Sequence, residues 1–143
     1  MITSTHMVFG LALAYVLDRR LVTASVFAIV PDFDVLMNFL YPFVHRGIMH
    51  TLLASLVAAG LVYVYTEDRE SAKSCFMGYN SHLALDIITF SGLPLFFPFY
   101  GDISLSLTSA YSMKANTAFL AAALVLMFAS KHQETFKPFL RLS

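Results

Sequence analysis

Three short stretches hold residues whose types and spacing could do chemistry. "PDFD" sets Asp32 and Asp34 two residues apart, directly after a proline. "HRGIMH" gathers His45, Arg46 and His50 within six residues. "GYNSHLALD" ends with His82 and Asp86 at i and i+4. That spacing puts both side chains on one helical face, where they can reach one ion or pair with each other in a polar seam. A fourth candidate, His6, stands alone near the start. Mixed imidazole and carboxylate donors suit zinc, and also manganese or iron. Read singly, each stretch has a plainer account. "PDFD" can be a turn with an aspartate N-cap, His6 part of a polar helix start, and Arg46 an interfacial side chain snorkelling to headgroups.

His45 and His50 are five apart, which is not one helical face. Gly47 permits a turn between them. His50, opening a helix, reads as a ligand, and His45 and Arg46 then line the substrate side. Arginine keeps its charge, so a buried Arg46 implies an anion, a carboxylate or a phosphate. His132 in "SKHQE" reads as a solvated residue, Asp102 as an outer-loop residue without a role, and Cys75 as structural. One cysteine forms no internal disulfide.

The elements that must position these residues are apolar. The chain is 58% hydrophobic, only 13% charged, and has a mean hydropathy of +0.71. Soluble domains carry roughly 25% charged residues. A net charge of zero offers no attraction to nucleic acid. The charges gather at 18–20, at 67–73 and after 130, with apolar runs between them. This layout predicts one integral-membrane domain over 1–143, an all-α, multi-pass transmembrane bundle of four to five membrane segments. The segments are expected at about 5–17, 20–30, 48–66, 74–90 and 113–131. The first has no basic region before it and reads as a retained helix rather than a signal peptide. Pro31 is expected to end the second segment. Residues 33–44 read as a short broken helix ending near Pro42. Residues 91–112, with two glycines, two prolines and then the alternating "ISLSLTS", read as a folded-back outer loop or short hairpin. "PLFFPF" within it reads as an interfacial anchor.

Seven of the nine Lys and Arg residues fall on one side if the segments alternate direction. That side should be cytoplasmic, which places the N-terminus outside and the C-terminus in the cytoplasm. Counted from the cytoplasmic ends at the helical rise, His6, Asp32, His50, His82 and Asp86 lie at depths of roughly 12–24 Å. Four segments thus contribute polar residues to one layer. Ionisable groups at such depth face the bundle interior and each other, and three carboxylates together need a cation.

The ordered set "PDFD", "HRGIMH" and "GYNSHLALD", preceded by His6, resembles the YdjM-like family of inner-membrane metal-dependent hydrolases. The likeness covers roughly residues 1–100, and the last 40 residues match in hydropathy alone. One departure is Met49 and Thr51, where the family often has Thr and Ser flanking the second histidine. The resemblance implies a membrane-embedded hydrolase that cleaves a phosphoester, lipid or lipid-linked, with a metal-activated water. One or two divalent transition-metal ions, zinc foremost, would be held by His6, Asp32, Asp34, His50, His82 and Asp86. Asp34, His45 and Arg46 would serve the chemistry. The alternative is a non-catalytic metal carrier or scaffold in the membrane. Its mark would be polar residues strung across the full depth, whereas here they occupy one layer.

Overall fold

The computed structural model describes residues 1–37, 46–99 and 101–140, with side chains described as far as Lys131. The expected broken helix at 33–44 therefore lies partly, and His45 and His132 wholly or by side chain, outside the described residues. The chain is all-helical, with five longer helices: α1 (Thr3–Val16), α2 (Leu21–Phe27), α4 (Leu52–Thr66), α5 (Arg69–Ile87) and α6 (Met113–Leu140). Between α2 and α4 come a 3-10 turn at Val30–Phe33, a single helical turn α3 (Asp34–Met37) and a second 3-10 turn at Ile48–His50.

Local chemistry explains most boundaries. After α1 the chain reverses through Asp18 in the left-handed region, φ 51°. Arg19 N donates to Ala14 O at 2.8 Å and Asp18 N to Tyr15 O at 3.4 Å, the two closing bonds of a Schellman turn. α2 ends at Phe27, four residues before Pro31 rather than at it. The proline instead sits in the first turn of the 3-10 helix, where its missing N–H costs nothing. His50 does not open α4 but closes the 3-10 turn, and Thr51 caps α4 by accepting from Ala54 N at 3.0 Å. Asp68 caps α5, accepting from Glu70 N and Ser71 N. The Ser71 hydroxyl, foremost, and these two amides hold the Asp68 carboxyl below its ordinary range. With that cap α5 starts at Arg69, five residues earlier than expected.

α5 is the central helix and packs against α1, α2 and α4, while α6 packs on α1. The approach of α2 is close. A Cβ on Gly78 would fall 2.1 Å from Ala24 O, so only glycine fits there. Among the described residues of 88–112 there is no strand ladder, only isolated bridges at Thr89–Thr108 and Leu93–Ile103. This loop folds back so that Leu93 and Leu95 join Tyr79 and Leu83 in a buried core. Leu52 N donates to Leu95 O at 3.0 Å, tying the loop to the start of α4. Asn116 of α6 clasps the beginning of α1. Its Oδ1 accepts from Ile2 N and Thr5 Oγ1, and its Nδ2 donates to Ala110 O and Ser112 O.

The bundle has two unlike ends. At one, Arg19 pairs with Glu70, Arg20 with Asp68, and Lys73 with Glu70. At the other lie His6, Asp34, His50, His82 and Asp86, all buried. Among the described residues one helical stretch, Met113–Lys131, is long and apolar enough to cross a membrane alone. Thr3–Val16, Leu21–Phe33 and Leu52–Thr66 are apolar but shorter. At 1.5 Å per residue, 15 residues reach about 23 Å of a hydrocarbon core about 30 Å thick. Of the expected four to five membrane segments, one is thus long enough to cross alone and three are apolar but shorter, because polar turns end them before full length.

Gly78→Ala should push α2 from α5 and lower stability by about 1–3 kcal/mol, the usual overpacking cost. Gly60→Ala, where a Cβ meets nothing within 4 Å, is the control and should not destabilise. Thermal melts of the two variants in detergent check this.

Candidate metal centre

Four helix ends bring the site together. His6 lies in the first turns of α1, Asp32 in the 3-10 turn after α2, His50 just before α4, and His82 with Asp86 in the last two turns of α5. His82 is the hub. Its Nδ1 lies 2.9 Å from Ala28 O. A carbonyl only accepts, so the ring hydrogen sits on Nδ1 and the neutral ring presents a lone pair at Nε2. His50 Nδ1 lies 3.1 Å from Asp34 Oδ2, a charge contact without hydrogen-bond alignment. The two Nε2 atoms then face each other at 3.3 Å. Two lone pairs at that distance repel unless a proton or a metal cation lies between them.

Asp86 Oδ2 completes a triad, 3.7 Å from His82 Nε2 and 3.9 Å from His50 Nε2. Donors bound to a tetrahedral zinc at 2.0–2.1 Å stand about 3.3 Å apart. The three observed edges are close to that value, and three protein donors with an open fourth position is the pattern of catalytic zinc. The His50 and His82 rings meet at 62°, so their lone pairs can converge. The residues present therefore fit one ion.

A second grouping, His6, Asp32 and His82, also has one donor atom from each residue within 4.8 Å of the others. It fits less well. His6 and His82 are stacked, with centroids 3.7 Å apart and planes 20° from parallel. Lone pairs lie in the ring planes, so those of stacked rings run side by side instead of converging. The single free lone pair of His82, at Nε2, also serves only one ion. His6 is fully buried, yet neither ring nitrogen makes a hydrogen bond among the described residues. Its Nε2 lies 3.3 Å from Asp86 Oδ1 without hydrogen-bond alignment. A buried, unsatisfied polar atom costs about 1–3 kcal/mol, which is further sign of a site built for a ligand.

The remaining expected residues take distinct places. Asp34 stands behind His50 rather than beside His82, and also accepts from Arg46 N at 2.8 Å. A carboxylate close to the far nitrogen of a ligating histidine raises its basicity. Arg46 is turned inward. Its Nη2 lies 3.2 Å from Asp86 Oδ2, and its Nη1 donates to Thr89 Oγ1 and Ser91 O. The anion it meets is Asp86. The left-handed residue of the "HRGIMH" turn is Arg46 itself, φ 63°, and not Gly47. Asp32 is the accessible member, 19% exposed, with Oδ1 3.6 Å from His82 Nε2 and Oδ2 accepting from Thr3 Oγ1 at 3.0 Å. The Met1 amino nitrogen lies 2.5 Å from Asp86 Oδ1. Cys75 is buried in mid-helix, and Asp102 is exposed in the 88–112 loop; neither joins the cluster.

Sequence reasoning missed Ala28, Thr89 and Ser91. Ala28 and Ser91 act through backbone carbonyls, for which side-chain type gives no signal. Thr89, three residues past Asp86, was visible only as a hydroxyl at a helix end.

Metal analysis of protein purified without chelator should find about one equivalent of transition metal. His50→Ala, His82→Ala and Asp86→Ala should each abolish it. Asp34→Asn and Arg46→Lys act through a ligand, so each should weaken affinity by about 10–100-fold. Unchanged metal content in His82→Ala and Asp86→Ala would show that the cluster holds no ion.

The YdjM inner membrane protein family model matches residues 1–141, so the chain belongs to that family along nearly its whole length, α6 included. The likeness expected over roughly residues 1–100 thus continues to residue 141. No match was found among curated proteins or among solved structures.

Proposed function

We propose that this inner-membrane protein is a metal-dependent phosphoester hydrolase. The observation that carries the reading is the converging triad of His50 Nε2, His82 Nε2 and Asp86 Oδ2, with an accessible carboxylate, Asp32, on its open side. A bound ion would supply Lewis acidity toward a phosphoryl oxygen and acidify a water. The chain's own groups do the rest. Ala28 O holds the His82 imidazole in the tautomer that leaves Nε2 free, and Asp34 sets its carboxylate beside His50 Nδ1. Arg46 braces Asp86 and offsets part of the negative charge of the three aspartates. Asp32 Oδ1 is positioned to accept the proton of an attacking water, and Thr3 steadies that carboxylate through its other oxygen.

A second reading, a metal-stabilised scaffold, is favoured by the ion pairs of Asp86 with Arg46 and the Met1 amino group, which partner this carboxylate within the chain. Asp32→Asn separates the two. Under the hydrolase reading it should retain the metal and lose at least ~100-fold in turnover across a panel of phosphoesters, the scale of general-base loss. A metal-loaded wild type that turns over none of the panel supports the scaffold. If Asp32→Asn loses metal as fully as His82→Ala does, Asp32 is a ligand and the base lies elsewhere.

The cationic end, with Arg19, Arg20, Arg69 and Lys73, belongs in the cytoplasm on this reading, and the cluster toward the outer face. Cys75 is fully buried and cannot report its side. Single cysteines at Thr66 and Asp102, both exposed, can do so in a Cys75→Ala background. An impermeant maleimide added to intact cells should label Asp102→Cys and spare Thr66→Cys. The reverse pattern inverts the orientation.

A further inference from the structure

Beside the metal centre a groove of about 440 Å³ runs out to the protein surface. This lies within the size of small-molecule sites. Its walls are Ile2, Ile29, Phe33, Val35 and Tyr111. At the end toward the cluster is Asp32, with the exposed Thr3 bonded to it. Asp32 Oδ1 in turn lies 3.6 Å from His82 Nε2, so the groove opens directly onto the cluster. The outer rim is apolar and exposed: Phe33 52%, Val35 51%, Tyr111 85%, with Met113 beyond at 71%.

We infer that this groove holds the hydrocarbon chain of a membrane phosphate ester, with the ester at the Asp32 end. The inference rests on the hydrolase reading for the ester, and on the groove itself for the chain. Asp32 and Thr3 mark one end, and the walls beyond them are mostly apolar, broken by the Tyr111 hydroxyl. The several hydroxyls of a sugar phosphate would find few side-chain partners along those walls. A hydrocarbon chain meets mostly apolar surface there, and it enters from the bilayer without crossing water. The elements that form the walls, the start of α1 and the turn before α3, are the same ones that carry His6 and Asp32. Chain binding and ester placement are thereby fixed by one piece of structure.

The test uses the full chain in lipid nanodiscs and hexadecyl phosphate bearing a photoreactive diazirine midway along its chain. Crosslinks should concentrate on residues 29–35 and Tyr111. Excess unlabelled hexadecyl phosphate should remove them, and inorganic phosphate should not. Ile29→Trp fills the groove and should lower this labelling by about tenfold, the effect of losing a few buried methylenes. Labelling of α6 and bound metal should be unchanged. Val35→Trp, at the exposed rim, gives the same readout if Ile29→Trp does not fold. Equal labelling of α4 and α6 and of the groove, insensitive to both variants, overturns the inference, as does competition by inorganic phosphate. In a parallel arm, Ile29→Trp should lower turnover of a hexadecyl phosphoester by about tenfold and leave a butyl phosphoester near wild type. Groove labelling without hydrolysis of either ester removes the hydrolase reading and leaves the chain site standing. Hydrolysis of both esters at equal rates, with no groove labelling, does the opposite.

Discussion

The hydrogen bond from His82 Nδ1 to Ala28 O is the contact on which the site depends. It joins α5 to the end of α2 and fixes the protonated nitrogen of the central histidine. Its length is set one turn earlier, where Gly78 lets the α2 backbone at Ala24 approach as closely as two helices can. With Nδ1 committed, Nε2 has nothing to do but face His50, Asp86 and Asp32. A side chain at Gly78 would leave all the donors present and lose their convergence.

The same constraint explains why the most polar helix is the most enclosed. α5 buries Ser74, Ser81, His82 and Asp86 beside Tyr79, Leu83 and Leu85. α1 and α4 are apolar and leave many large side chains exposed, among them Leu61, Val64 and Val16. In a hydrocarbon surrounding this is the inverse of a water-soluble bundle. Apolar groups can face lipid at no cost, and polar groups must find one another. The short helices help, since their ends supply turns that can carry several donors to one point.

Much of this was legible in the sequence for particular reasons. His82 and Asp86 at i and i+4 needed only a helix to share a face. The coincidence of depth among His6, Asp32, His50 and His82 needed only helix lengths and charge clusters. The division of labour among the aspartates was not legible. Asp32 and Asp34 look alike two residues apart, but a 3-10 turn passes between them, turning one toward His82 and the other behind His50. For Arg46 the sequence left a carboxylate and a phosphate open as its anion, and only the structure shows the carboxylate of Asp86 beside it. The alternation of "ISLSLTS" reads as a folded-back loop or a short hairpin, and the chain takes the loop: it closes through isolated bridges, with Ile103 packed against the core and Leu105 and Leu107 exposed.

The Asn116 clasp closes a long circuit of chain. Its bonds to Ile2 and Thr5 span more than a hundred residues, from the start of α1 to the start of α6. α1 also packs on α2 and α5, so the clasp is a polar latch on a segment that other helices already seat. Contacts so distant in sequence form slowly, because a long loop must close before they reward it, and the latch is therefore expected late among the contacts of the bundle.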